Sequence, residues 1–209
     1  MRQEIMKKMM HSRSNQEKKV LLLGAGGHAS VVLDILKKNH VSVSRIYSPN
    51  IDPSRKIFNG ISWSPNENEV FGEDKHNVIL VNGLGLIPGN VNRCRTAEKF
   101  RSSGYKFLSV IAQSADISPY AKLGEGVQIL NGAIVQAGAT ICNDVIVNSR
   151  AVIEHDCYIG AMNHIAPGAT VCGGVTTGSN VFIGAGSVVL PGSKLRTDEL
   201  VKANSTHRN

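Results

Sequence analysis

The sequence predicts a small Rossmann-like α/β domain followed by a left-handed parallel β-helix of hexapeptide repeats. Two observations carry that reading. Residues 19–111 alternate strand-like and helix-like segments around a glycine-rich turn. From Ile117 onward a branched residue recurs every six positions, Ile, Leu or Val in thirteen of fourteen cases: Ile117, Leu123, Ile129, Val135, Ile141, Val147, Ile153, Ile159, Ile165, Val171, Thr177, Ile183, Val189 and Leu195. An amphipathic helix needs a period of 3.6 and a half-exposed strand a period of two, so a period of six is neither. It is the mark of a solenoid in which each hexad is one short strand plus a turn.

Taken in order, residues 1–18 are polar, basic and Met-rich, with Met6, Met9 and Met10 as alternative starts, and disorder is expected there. Residues 19–23 read as a buried strand that ends at Gly24-Ala25-Gly26-Gly27-His28-Ala29. A helix follows over 29–38, its last turn basic. Strands are expected at 41–47 and 77–81, a helix at 93–102 closed by Gly104, and a last strand at 107–111. Residues 48–73 are polar and turn-prone and read as a surface excursion with weak structure. This alternation indicates a parallel-sheet α/β domain over 19–113. The β-helix domain covers 114–200. Its branched first position points into the core, and its small fifth position (Ala133, Ala139, Ala151, Ala169) lets the chain round each corner. Three hexads close a triangular coil, so fourteen give four to five coils, each touching its neighbours alone. Residues 201–209 read as a polar tail.

The net charge of +7 divides unevenly. Residues 1–19 carry six Lys/Arg against Glu4 and Glu17, and residues 194–209 carry four against Asp198 and Glu199, leaving +1 between. Basicity at the two ends, rather than along a folded stripe, argues against a nucleic-acid surface. Nothing approaches eighteen consecutive apolar residues, and no apolar run follows the basic start, so neither a membrane span nor a signal peptide is expected. Cys94, Cys142, Cys157 and Cys172 form no C-x-x-C pair and suggest no disulfide framework. Cytoplasmic residence is the expectation.

Two stretches carry chemistry. The run from Gly24 to Ala29 matches G-x-G-x-x-G/A between a strand and a helix, where exposed N–H groups favour an anion. The acidic residue of a dinucleotide site is missing after the second strand, where Tyr47-Ser48-Pro49-Asn50 stands. A mononucleotide or a nucleotide-sugar phosphate fits better, with His28 facing the pocket; otherwise the glycines simply make a tight turn. In the repeat, Ile153-Glu154-His155-Asp156 places a histidine at the outward third position beside carboxylates. That is the setting of a general base, although a lone surface histidine is usually inert. His164 lies nine residues on, facing the same groove or a neighbouring subunit's. Two histidines in the repeat are too few for a three-histidine zinc site, and no metal is expected. Cys157, at a small fifth position, is explained by packing.

An α/β domain opening with GAGGHA, then hexads carrying Val-Ile-Glu-His-Asp-Cys-Tyr-Ile-Gly and Asn-His-Ile-Ala-Pro-Gly-Ala, resembles the sugar O-/N-acyltransferases of the NeuD/PglD type. The resemblance covers residues 19 to about 195. It implies a homotrimer with acetyl-CoA in the grooves between adjacent β-helices and no metal. It also implies acetyl transfer to a nucleotide-activated amino sugar, typically of the UDP-4-amino-4,6-dideoxy type, for surface glycan synthesis. By the same resemblance His155 is the general base, Asp156 its orienting carboxylate, and Asn148 a support of the active site. His164 contacts acetyl-CoA near the thioester, and Gly173 and Ala185 offer backbone to the pantetheine. Gly26, Gly27 and His28 bind the nucleotide sugar, with Asn82 and Gly83 lining the same pocket. The implied chemistry is direct attack on the thioester. O-acetylation of a sialic-acid-like sugar is the alternative within the family. Relatives usually continue for a further coil, so a thin last coil is expected here, and with it a second alternative: a catalytically weakened sugar-nucleotide-binding trimer.

Overall fold

The computed structural model describes residues 18–208, so the basic extension lies outside the described residues except for Lys18. The chain forms two compact units that divide between Val110 and Ile111, three residues ahead of the 113/114 boundary drawn from sequence.

The first unit is a four-stranded parallel sheet built from β1 (Lys19–Leu23), β2 (Val43–Tyr47), β3 (Ser62–Ser64) and β4 (Val78–Asn82), in the order β3-β2-β1-β4. Val20 to Leu23 and Val78 to Val81 are buried, as continuous apolar runs in a covered parallel sheet must be. Helix α1 (Gly27–Lys38) buries Ala29, Val32, Leu33, Ile35 and Leu36, one stripe at helical spacing. Val32, Leu33, Ile35 and Leu36 each contribute roughly 1.5–3 kcal/mol by leaving water. Helix α2 (Asn92–Ser102) buries Arg93, Thr96, Ala97 and Phe100.

Two readings of this unit need correction. Residues 48–73 are not a weakly structured excursion. They contain β3, paired in parallel with β2, and two 3-10 turns, Lys56–Phe58 and Glu67–Gly72, that sink Phe58 and Val70 into the core. Ser-Trp-Ser has no β-branched residue, and its three residues bury Ser64 while leaving Trp63 exposed, so its pattern did not announce a strand. The strand expected over 107–111 divides: Phe107 makes one bridge to Leu80, whereas Val110–Ile111 pairs next to Gln128–Ile129 and opens the second unit.

The second unit is the left-handed parallel β-helix, with two-residue strands from Val110–Ile111 to Thr206–His207. Each strand pairs with the one eighteen residues on, as Asp116–Ile117 with Ile134–Val135, so three hexads make a coil and three sheets make the faces. The first face, in chain order, holds Ile146–Val147 and His164–Ile165; the second holds Val152–Ile153 and Thr170–Val171; the third holds Tyr158–Ile159 and Thr176–Thr177. The first hexad position faces the core. The turn itself belongs to position four, whose φ is left-handed whether the residue is Gly132, Gly138 and Gly174 or Asp156, Asn180 and Asn204. Position five, small as expected, is buried behind it, as Ala133, Ala139, Ala151 and Ala169 show.

Two departures from the repeat repair each other. Thr177 brings a hydroxyl to the core-facing position, and Asn163 brings an amide to position five one coil earlier. The Thr177 Oγ1 accepts from Asn163 Nδ2 at 2.5 Å and from the Gly160 N–H at 2.9 Å, while Asn163 Oδ1 accepts from the Val181 N–H at 2.6 Å. Beyond residue 200 the expected polar tail continues the prism instead. Leu200–Val201 and Thr206–His207 add strands to two faces, Val201 is buried, and Glu199 pairs with His207 at 3.3 Å. The last coil is therefore not thin; Val201 keeps the six-residue register after Leu195, but one apolar residue in a polar stretch is a short signal.

Candidate active site

At the corner between the second and third faces, His155 Nδ1 lies 2.9 Å from Asp156 Oδ2. Both side chains are exposed, at 65% and 72%. Asp156 takes the left-handed position four with φ 58°. Asp tolerates this region better than most residues, and here it turns the carboxylate back onto its neighbour. A carboxylate accepts only, so Nδ1 carries the proton and Nε2 presents a lone pair. The coils on either side fix the backbone: the Asp156 N–H donates to Ala137 O at 3.1 Å, and the Gly174 N–H donates to His155 O at 2.9 Å. The imidazole lies directly against Gly173, where a Cβ would stand 2.6 Å from Nε2. A histidine held in one tautomer with its other nitrogen exposed is equipped to take a proton from a substrate.

Asn148 and His164 form a second pair on a different part of the prism. His164 lies on the first face, and Asn148 at the corner that joins the first face to the second. Asn148 Oδ1 accepts from the Ser149 N–H at 2.8 Å, which turns its amide nitrogen toward His164 Nε2 at 3.0 Å. His164 Nε2 is thereby an acceptor, its ring buried and edge-on to Phe182 with centroids 5.0 Å apart. Ala185 is exposed at the same kind of corner, its carbonyl taken by the Asn204 N–H at 2.8 Å. Within one chain, then, His155, Asp156 and Gly173 come together, and Asn148 and His164 come together, but the two groups occupy separate corners. Cys157 packs inward with Sγ donating to Cys172 O at 3.1 Å, and burial pushes its thiol up, away from a nucleophile's range. Among the described residues no group of three or more His, Cys, Asp or Glu side chains could hold a metal ion.

In the first unit, the turn after β1 holds its glycines for different reasons. Gly24 has φ +97° and no room for a Cβ beside Leu84. Gly83, expected to line a pocket, is explained by packing: a Cβ would press on Leu23 O, Ala29 Cβ and Leu22 Cδ1 at 2.8–2.9 Å. Gly26 is the opposite case, since a Cβ there would enter open space. Gly26 caps α1 with no side-chain hydrogen bond, and no acidic residue stands in the helix's first turn. The first N–H groups of α1 therefore face outward from an uncrowded turn. His28 packs its Cβ toward Gly85. Asn82 is buried and spends its amide on the loop, accepting from the Leu84 N–H at 3.2 Å and donating to Arg93 O at 3.2 Å. Arg55, which sequence reasoning missed, reaches back from the β2–β3 segment. Its guanidinium donates to Ser30 Oγ at 3.4 Å, stands 3.6 Å from Asp52, and lies 3.9 Å from where a Gly27 side chain would begin. Ser48 stands where a dinucleotide site has its carboxylate; its hydroxyl donates to Asn50 O at 2.7 Å and its carbonyl accepts from Trp63 Nε1 at 2.9 Å.

The first unit matches the PglD N-terminal domain over residues 19–99. Over its length the chain is similar to PerB from Caulobacter crescentus, solved with CoA and GDP-perosamine. Identity is 30%, the TM-score is 0.80, and the match covers 91% of this chain and 89% of that one. The chain belongs to the NeuD/PglD-type family of sugar acyltransferases. As a member of that family it is an acyltransferase. The acetyltransferase domain of PglB from Neisseria gonorrhoeae, solved with acetyl coenzyme A, is 26% identical with a TM-score of 0.79, over 90% of each chain. WeeI from Acinetobacter baumannii, at 17% identity and a TM-score of 0.69 over 92% of this chain and 97% of that one, shares the fold. No helix among the described residues of this NeuD/PglD-type chain is long and apolar enough to cross a membrane.

Proposed function

We propose that this protein transfers the acetyl group of acetyl-CoA to the amino group of a nucleotide-activated amino sugar, in the cytoplasm and for surface glycan synthesis. The observation that carries the reading is the exposed His155–Asp156 pair, at 2.9 Å, in a chain of this family. Nε2 of His155 takes a proton from the amine as its nitrogen adds to the thioester carbonyl. A C–N bond forms, the C–S bond breaks, and the thiolate leaves to become CoA, with no acyl-enzyme. Holding acceptor and thioester together supplies much of the acceleration.

The protein works as a homotrimer in this reading. Asn148 and His164 sit at a different corner from the base, so a groove with both groups needs two prisms side by side. In that groove His164 and the backbone of Gly173 and Ala185 flank the acetyl-CoA, and Asn148 fixes His164 as an acceptor. Gly26, Gly27 and His28 receive the nucleotide sugar, within a loop whose shape Asn82 and Gly83 set. Arg55 adds a cation for the phosphates. The nucleotide is of the UDP-4-amino-4,6-dideoxy type in this proposal. PerB was solved with a GDP-linked sugar, so the nucleobase is the point to test first.

The test is acceptor-dependent CoA release from acetyl-CoA, with UDP- and GDP-linked 4-amino-4,6-dideoxy sugars as parallel acceptors, for wild type and His155→Ala. Expected are release with the UDP sugar and a loss of about 10²–10⁴-fold in kcat for the variant, the usual contribution of a general base. Turnover with the GDP sugar alone would move the specificity, and an undiminished variant would remove His155 from the base role.

A further inference from the structure

We infer that Gly138 is a positioning residue for the His155–Asp156 pair, its missing side chain being the seat of the Asp156 carboxylate. This rests on the reading of His155 as the base. Eighteen residues make a coil, so Gly138, Asp156 and Gly174 stack at position four of one corner, with Ala137, His155 and Gly173 stacked beside them. A Cβ on Gly138 would overlap Asp156 Oδ1. The other oxygen, Oδ2, holds His155 Nδ1 at 2.9 Å. One carboxylate oxygen thus occupies the space a side chain on Gly138 would take, while the other holds the imidazole.

The same arrangement recurs without a histidine. Asn204 stands one coil above Gly186, and a Cβ on Gly186 would overlap Asn204 Oδ1. At both sites, then, a left-handed Asp or Asn lays an oxygen over a glycine one coil earlier. At Asp156 that habit is put to use by the neighbouring ring. Gly173 completes the arrangement from above, since its lack of a side chain leaves the ring its place.

Gly138→Ala tests the inference, with Gly132→Ala as control. Both glycines hold position four, with φ +76° and +70°, but a Cβ at Gly132 meets nothing closer than Arg150 Cγ at 3.5 Å. The control reports the strain of a side chain at positive φ alone. In Gly138→Ala we expect kcat to fall about 10- to 100-fold, less than the roughly 10⁴-fold that follows removal of a carboxylate orienting a catalytic histidine, because Asp156 is displaced and not removed, with KM for both substrates unchanged. Nitrogen-15 NMR of the His155 ring should move from the Nδ1–H form toward a mixture with Nε2–H. Adding Asp156→Asn should cost less than it costs in wild type, because the same contact is already weakened.

A kcat loss equalled by Gly132→Ala, or an unmoved His155 tautomer, would overturn the inference. If Gly138→Ala lowers the melting temperature more than Gly132→Ala does, Asp156→Gly in the same chain should bring the loss back to that of the control, and an excess that persists would count against the seat. Should His155→Ala keep full activity, the base assignment falls, while the tautomer of His155 in Gly138→Ala still decides the role of Gly138.

Discussion

The two units of this chain write their structures in opposite ways. In the β-helix each hexad repeats the one before, and the residues that matter are those that break the repeat. Asp156 turns the left-handed corner with a carboxylate beside His155 on an outward corner, and Thr177 and Asn163 trade a branched and a small residue for a buried polar pair. In the α/β unit no repeat defines a position, and several contacts come from far along the chain. Arg55 meets the start of α1 from twenty-five residues away, and Gly83 is shaped by β1 and by Ala29. A repeat shows function as an exception to a rule. An irregular domain has no such rule to break, and beyond its glycine turn a residue such as Arg55 becomes visible only when the chain is folded.

The sharpest way to break that contrast is to make the repeat more regular. Asn163→Ala gives position five its usual small residue, yet it leaves the Val181 N–H, the Gly178 carbonyl and the Thr177 hydroxyl without the partner they have now. Since each buried polar group left unpaired costs about 1–3 kcal/mol, we expect a loss of roughly 3 kcal/mol or more in the β-helix. Thr177→Val restores a branched apolar residue and should still cost roughly 1–3 kcal/mol, because the Gly160 N–H and Asn163 Nδ2 lose their acceptor. Denaturant unfolding followed by far-UV circular dichroism measures both. A regularised repeat as stable as wild type would mean that these exceptions are neutral.

Legibility follows the same division. The hexad register, from Ile117 to Leu195, gave the β-helix and the outward placement of His155 with no gap, because a solenoid converts period directly into geometry. What it did not give was the turn. Glycine is frequent at position four, but only the backbone reveals that Asp156 and Asn204 share its left-handed φ. Nor could it assign corners: His155 and His164 are nine residues apart, and a triangular coil puts them on different parts of the prism. In the first unit β1, α1 and β4 were legible from apolar runs and the glycine turn. β3 was not, because three residues with one apolar side chain carry no period. Arg55 was invisible for a related reason: Ser30 comes to it only through the fold, its other partner Asp52 is a local neighbour three residues away, and a lone arginine in a polar loop signals nothing.

A middle-sized effect separates two glycines of the first unit that look alike in sequence. Gly83→Ala forces a methyl against Leu23 O, Ala29 Cβ and Leu22 Cδ1, and overpacking of that kind costs about 1–3 kcal/mol. Gly26→Ala meets open space, so the fold should be indifferent while affinity for the nucleotide sugar falls. Trp63 is the chain's single tryptophan and lies in this unit, so its fluorescence reports unfolding here. Equal destabilisation by the two substitutions would erase the distinction between a packing glycine and a binding one.

The smallest effect compares the units through their buried acids. In the β-helix burial pushes the Cys157 thiol up; in the α/β unit burial, aided by Glu73 and Asp74, pushes the Tyr105 hydroxyl up, and that hydroxyl donates to Val70 O at 2.8 Å and Glu73 O at 3.0 Å. A group whose folded pKa is raised holds its proton more tightly in the folded state. Its contribution is complete below the unfolded pKa and is lost as pH rises through the folded one. Unfolded cysteine titrates near pH ~8.5 and tyrosine near ~10, so the β-helix should begin to weaken at a lower alkaline pH than the α/β unit. Circular dichroism and Trp63 fluorescence, followed together in denaturant between about pH 7 and 10.5, should therefore separate on the alkaline side, and Cys157→Ala should delay the β-helix transition while leaving the fluorescence transition in place. Coincident transitions that ignore the substitution would show that the two units unfold as one and that their different ways of encoding structure do not extend to stability.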